Sequence, residues 1–183
     1  MNVQFYTGGK LPPRAVGFLP CKQPTVIRLL CKESDWVKVW LHWHNGRSVP
    51  CCGQQCRHCA EEPRLYAYGA CIAGTWGHRG FANGYPAVCC VSVAAWSLTE
   101  GDYRSHAIEL RRMGCHANAE LTYRILGDCN EPMEVPFPIR QRLMTIWQIR
   151  HLHDEGEMLA HLAEIKRLKE DLAGGLHDGR DGA

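Results

Sequence analysis

The sequence predicts a mainly β (α+β) fold, a small barrel or sandwich with an inserted loop and C-terminal helices. Three observations carry that expectation. Short β-branched and aromatic segments separated by Gly, Asn and Asp turns recur between residues 25 and 126. A polar stretch rich in His and Cys interrupts them at residues 42–59. After a cluster of prolines the pattern changes to helical spacing.

With 183 residues and 45% hydrophobic composition, the chain buries one sizeable core, and a second full domain would be cramped. Residues 1–24, with TGGKLPP and GFLP, read as an N-terminal arm. TVIRLL (25–30) and WVKVWLHW (36–43) read as strands, because they are β-branched, aromatic and too short for helices. Residues 42–59 read as a loop. RLYAYGACIAG (64–74) reads as a strand, TWGHRGFANGYP as a Gly-rich turn, and AVCCVSVAAW (87–96), HAIELRRM (106–113) and AELTYRIL (119–126) as further strands. These make a β domain spanning 25–130.

Prolines in CNEPMEVPFPIR forbid a continuing central strand. The helical extension expected over 131–176 carries Leu159, Leu162, Ile165, Leu168 and Leu172 at three- and four-residue steps and stops at Gly174-Gly175. That stripe packs on the β domain or docks a protein partner; it is short for a coiled-coil seam. Residues 177–183 read as a frayed tail.

No run of eighteen apolar residues is present, and the N-terminus lacks a basic stretch followed by an apolar block. The expectation is a cytoplasmic protein with no membrane partner. Residues 1–150 hold 17 Lys and Arg against 11 Asp and Glu, a net of +6; residues 151–183 hold 4 against 8, a net of −4. A basic body of this kind attracts a polyanion.

Eleven cysteines, an odd number with no export signal, favour reduced thiols and a metal over a disulfide scaffold. Cys71, Cys89, Cys90 and Cys115 lie in apolar stretches and read as small buried hydrophobes. HWHNGRSVPCCGQQCRHC (42–59) differs: it is polar and packs three histidines and four cysteines into eighteen residues. Cys56 and Cys59 form a C-x-x-C hook, Cys51 precedes it by five positions, and His44 completes a Cys₃His set suited to one structural zinc. Cys52 is an alternative to Cys51, and His42 or His58 to His44. A redox role would need the C-x-x-C near a βαβ pattern, which is missing.

A nuclease is the alternative chemistry. His42-Trp43-His44 matches a His-hydrophobic-His element, whose histidines share one strand face. Neither Tyr103 nor Tyr123 begins the Tyr-x-x-Lys that would supply nucleophile and base together, so no enzyme activity is expected.

Aromatic and basic residues interleave along the strands, as single-stranded nucleic acid requires: bases stack on rings while phosphates follow positive charge. Tyr66 and Tyr68 share a face beside Arg64, and Trp40 shares a face with Lys38 and Trp36. Arg47, Arg79 and the pair Arg111-Arg112 add phosphate contacts.

The order of His44, Cys51, Cys56 and Cys59, followed by LYAYGACIAG, resembles the zinc-bearing OB-fold core of single-stranded DNA-binding proteins of T4-type phages. The resemblance covers residues 25–126 in layout. It implies an OB-like barrel with an inserted zinc loop and a cleft lined by aromatic and basic residues. It also implies binding of single-stranded DNA, or of RNA, in replication or recombination. The ligand spacing is tighter than in that family, and an amphipathic helix stands where the family has a plain acidic tail. The expectation that stands is a zinc-stapled, OB-like binding module.

Overall fold

Alternating apolar positions convert the β-branched segments into paired strands. The computed structural model describes residues 18–19, 24–45, 47–113, 120–129, 134–135 and 137–174. Most of the expected arm, the expected tail, and Cys115 lie outside the described residues. The strands are β1 (Thr25–Leu29), β2 (Val37–His44), β3 (Arg47–Pro50), β4 (Arg64–Gly77), β5 (Gly80–Val91), β6 (His106–Met113) and β7 (Glu120–Asp128). Two helices follow, α1 (Ile139–Trp147) and α2 (Glu155–Gly174). The protein is thus mainly β, an antiparallel sheet of seven strands with two helices. The chain divides into two units, Met1–Lys38 with Leu65–His151, and Val39–Arg64 with Leu152–Ala183. The His/Cys stretch therefore shares a unit with α2, although the sequence groups it with the β segments.

In the first unit the strands neighbour one another in the order β5-β4-β1-β6-β7, all antiparallel. Among the described residues no pairing joins β5 to β7, so this sheet is open where a small OB-like barrel was expected to close. Its core is aliphatic. Ile27 of β1 stands opposite Ile108 of β6, and both are fully buried with Val88, Val91, Leu98 and Leu143. Residues 75–86, expected as a turn, are mostly strand: β4 and β5 form a long hairpin whose turn is only His78-Arg79, with Gly80 at φ +86. Its register shifts between Ala73 and Thr75, the two-against-one irregularity of a bulge. Gly69 is required by close approach, since a Cβ there would lie 2.6 Å from Cys31 Sγ and 2.7 Å from Trp36 Cζ3.

The buried thiols are tied to carbonyls. Cys31 Sγ donates to Ala70 O, Cys71 Sγ to Ala87 O and Cys89 Sγ to Gly69 O. Burial raises the Cys31 thiol far above its ordinary range, and for Cys89 the hydrogen bond with Cys71 and then burial do the same. The reading of Cys71 and Cys89 as small hydrophobes matches this packing; Cys90 is half-buried.

The expected helical run is two helices. Gln148 breaks it in the left-handed conformation, φ 57, with its N–H donating to Thr145 O and the Ile149 N–H to Met144 O. A side chain in this conformation is strained, and glycine is the usual solution. Gln148→Gly should raise stability by about 1 kcal/mol, seen as a melting temperature higher by about 2–4 °C.

In the second unit, β2 and β3 form a hairpin in which Leu41 faces Pro50 and His44 faces Arg47. Asn45 turns the chain at φ 48, before Gly46 in the sequence. Asn-Gly between strands is the strongest short hairpin signal, so the first part of the expected loop is strand instead. The Cys51 N–H donating to Trp40 O at 2.8 Å continues the pairing. A short 3₁₀ turn at Gly53–Gln55 then leads into the remaining cysteines.

α2 opens with a reciprocal cap: the Glu157 N–H donates to Asp154 Oδ1 at 2.8 Å, and the Asp154 N–H to Glu157 Oε2 at 2.9 Å. Its buried edge begins at Met158, 2% exposed, and continues through half-buried Leu162 and Ile165. Leu159, Leu168 and Leu172 are exposed, so only the middle of the expected stripe faces inward. No described helix is long and apolar enough to cross a membrane.

Candidate metal centre

The hairpin register brings the first two donors together. Cys51 pairs with Trp40, and directly opposed residues point to the same face of a hairpin. Positions 40, 42 and 44 share that face, so His42 lies one two-residue step from Cys51 and His44 lies two. At a strand rise of about 3.3 Å per residue, the second step carries His44 roughly 7 Å further toward the hairpin end. The 3₁₀ turn folds Cys56 back, with its N–H on Gly53 O at 2.9 Å, and the Cys59 N–H reaches Cys56 O at 3.3 Å, so the C-x-x-C closes on itself.

His42, Cys51, Cys56 and Cys59 result as a cluster of donors all within 4.8 Å of one another, a set that can hold a metal ion. Cys59 Sγ lies 3.5 Å from Cys51 Sγ and 3.5 Å from His42 Nε2. Tetrahedral coordination by sulfur at about 2.3 Å and nitrogen at about 2.0 Å separates ligand atoms by roughly 3.5–3.8 Å, and these distances fit it.

The electrostatics favour a neutral imidazole and differ among the three thiols. Burial holds the His42 imidazole below its ordinary value, with His58 acting in the same direction and Glu61 opposing, so the ring is neutral with a lone pair to offer. Burial pushes the Cys51 and Cys59 thiols up. At Cys56 burial acts the same way, but backbone hydrogen bonds at Cys52 and His58 and thiol contacts with Cys59 and Cys52 outweigh it, and the thiol is lowered. Deprotonating the raised thiols without a cation is costly, and a bound metal supplies the compensation.

Of the expected ligands, Cys51, Cys56 and Cys59 meet as anticipated, and Cys52 is exposed outside the cluster. The histidine differs. His42, 3% exposed, takes the place expected for His44, which is exposed, has Nε2 3.0 Å from Asn45 Nδ2, and has its ring 4.3 Å from that of His58. The Asn-Gly turn carries the signal that would have settled this, because it fixes the register.

One neighbour was not anticipated: His161 Nε2 of α2 lies 3.3 Å from Cys59 Sγ. It lies on the same edge as Met158, Leu162 and Ile165, at spacings of three, one and four residues, so a histidine within the inward helix edge was the available signal.

The residues expected to contact nucleic acid are dispersed. Trp40 is 7% exposed and Tyr68 is 4% exposed, so neither ring offers a face to a base. Large aromatics pack cores as readily as they stack, and Tyr68 lies edge-on to Trp147, with centroids 5.2 Å apart, and against Phe18 at 5.5 Å. Tyr66 is half-buried. Lys38 lines a cleft of about 840 Å³ in the first unit, with Lys32, Trp36 and Trp96. Arg79 is exposed at the β4–β5 turn, and Arg64 and Arg47 are exposed at the starts of β4 and β3. Arg111 pairs with Glu109 at 3.1 Å, and Arg124 meets the same carboxylate at 3.4 Å. Arg112 lies in β6, but its side chain lies outside the described residues. The aromatic that is exposed in the second unit is Trp43, at 50%.

Compared with protein-family models, curated proteins and solved structures, the chain matches none.

Proposed function

We propose that the second unit is a zinc-stapled module that binds single-stranded nucleic acid, DNA in preference to RNA. The observation that carries the reading is the four-donor cluster beneath a hairpin end with an exposed tryptophan and arginine. Cys₃His is a donor set that favours zinc, and four protein ligands leave no open position for a reacting water, so the ion is structural. The staple fixes β2 and β3 against the Cys56–Cys59 turn. The hairpin end then offers Trp43 and Ser48 on one face, and His44 and exposed Arg47 on the other. Trp43 offers its ring to a base on one face, and Arg47, on the other face of the same hairpin end, offers positive charge to a phosphate.

The OB-like reading is retained only as the layout of short strands that led to this proposal, since the module rests on the hairpin and the metal. A His-hydrophobic-His nuclease is disfavoured because His42 is shared with three cysteines. A protein-docking adaptor is the second reading, favoured by exposed Leu159, Leu168 and Leu172 on α2.

Fluorescence anisotropy of labelled single-stranded and duplex oligonucleotides, across a salt series and with and without Mn²⁺, tests the proposal. The expected result is single-strand preference with affinity falling steeply as salt rises, through counterion release. Trp43→Ala should weaken binding by about 1–3 kcal/mol, roughly 5- to 150-fold. Failure to bind any oligonucleotide would move the function to a protein partner, and Mn²⁺-dependent cleavage of the single-stranded probe would move it to a nuclease.

A further inference from the structure

α2 meets the cysteine turn at three points along its length. His153, just before the helix, stands over Gly53, where a Cβ would lie 3.0 Å from His153 Nε2. His161 Nε2 lies 3.3 Å from Cys59 Sγ. Lys169 Nζ donates to Ala60 O at 3.4 Å. The outer two are a ring against backbone and an exposed cation on a carbonyl. The central one touches a candidate ligand atom.

We propose that His161 is a positioning residue of the metal centre. Its Nε2–H donates to the Cys59 thiolate, and through that bond metal occupancy and the docking of α2 on the 53–60 turn become one coupled equilibrium. The proposal rests on the metal reading above.

The charge balance supplies the reason. Three thiolates and a neutral imidazole around a divalent cation leave the site with a formal excess of one negative charge. An N–H donor to a thiolate spreads that charge, and such charge-assisted bonds are stronger than neutral ones. The excess charge of the occupied site falls in part on the sulfur that His161 Nε2 faces at 3.3 Å, so the contact strengthens with occupancy.

His161 is assigned as an outer donor and not a ligand on geometric grounds. The four atoms that lie within 4.8 Å of one another are complete without it. A fifth donor would exceed the tetrahedral count, and its nitrogen would have to give up the proton that the thiolate accepts.

Outer-sphere partners of this kind are worth about 10- to 100-fold in metal affinity. Coupling between two equilibria is reciprocal, so metal must favour the docked helix by the same factor.

The test uses the full chain with Co²⁺ as a spectroscopic probe, Zn²⁺ competition for affinity, and hydrogen exchange over α2. In His161→Ala the Co²⁺ spectrum should keep its three-thiolate pattern while affinity falls about 10- to 100-fold and α2 amides of the metal-loaded protein exchange faster. His161→Gln keeps an N–H donor in a folded helix and should recover part of both losses. Unchanged affinity with unchanged α2 protection in both variants overturns the proposal. So does a Co²⁺ spectrum that changes its ligand pattern in His161→Ala, which would make His161 a ligand. If the unaltered protein binds no Co²⁺ or Zn²⁺, the metal reading itself falls and the proposal falls with it. That result is distinct, because it appears before any substitution is made.

Discussion

Cys56→Ser is expected to empty the metal centre and to unfold the second unit while the first keeps its structure. The second unit is small, and its described buried side chains are few: Val39, Trp40, Leu41, His42, Cys51, Leu152 and Met158 among them. Segments this short seldom bury enough apolar surface to offset the entropy of ordering the chain, and a metal commonly supplies the difference. Apparent binding energies of structural zinc sites run to about 10–16 kcal/mol at neutral pH, more than such a unit has to lose. Hydrogen exchange should therefore lose protection over 39–64 and 152–174 and keep it over β1, β6 and β7. Metal content measured on the same sample should fall to near zero.

Two companion substitutions make the result specific. Cys52→Ser should leave metal content and protection unchanged, since that thiol is exposed and outside the cluster. His42→Ala should lose the metal and His44→Ala should keep it, the reverse of what the C-x-x-C and the position of His44 suggest from sequence. If His44→Ala instead empties the site, the hairpin register described above is incorrect.

The second large effect belongs to the first unit. Ile108→Ala should lower its unfolding free energy by about 2–5 kcal/mol, the usual cost of deleting three buried methyl or methylene groups and leaving a cavity. Ile108 is fully buried on β6, which lies between β1 and β7, and it faces Ile27, which is equally buried. Ile108 points to the buried face of β6, opposite the face that carries Glu109 and exposed Arg111, so its loss leaves a cavity among packed neighbours. Total stabilities of ordinary domains are about 5–15 kcal/mol, so the loss is a large fraction. Denaturant unfolding followed by circular dichroism should show a lower midpoint with an unchanged slope, because the surface exposed on unfolding hardly changes. A loss below about 1 kcal/mol would mean that the β1–β6 contact is not core.

Much of this was legible in the chain. Period-two alternation and β-branched content located β1, β2, β6 and β7 to within a few residues, because an antiparallel strand with one buried face repeats its apolar residues at the period of its own pleat. Three of the four candidate ligands were legible too, since a polar stretch holding a C-x-x-C has no place in an apolar core.

Other features were misjudged where a local signal carried two readings. TWGHRGFANGYP is rich in glycine and reads as a turn, yet Gly80 and Asn83, both at positive φ, sit inside a strand that bends through a register shift. Alternation beside basic residues makes Trp40 and Tyr68 read as stacking platforms, but a ring's fate depends on what lies above it, and for Tyr68 that is Trp147 and Phe18.

By itself, the sequence determined a mainly β chain ending in helices, a thiol-rich turn suited to one metal, and a set of cysteines that serve as apolar filling. These follow from residue chemistry and from spacings within one element. Only the tertiary structure decided that His42 replaces His44, that the sheet is open, and that His161 reaches Cys59 from 102 positions away. Each of these depends on which elements become neighbours, and a short-range pattern carries no record of that choice.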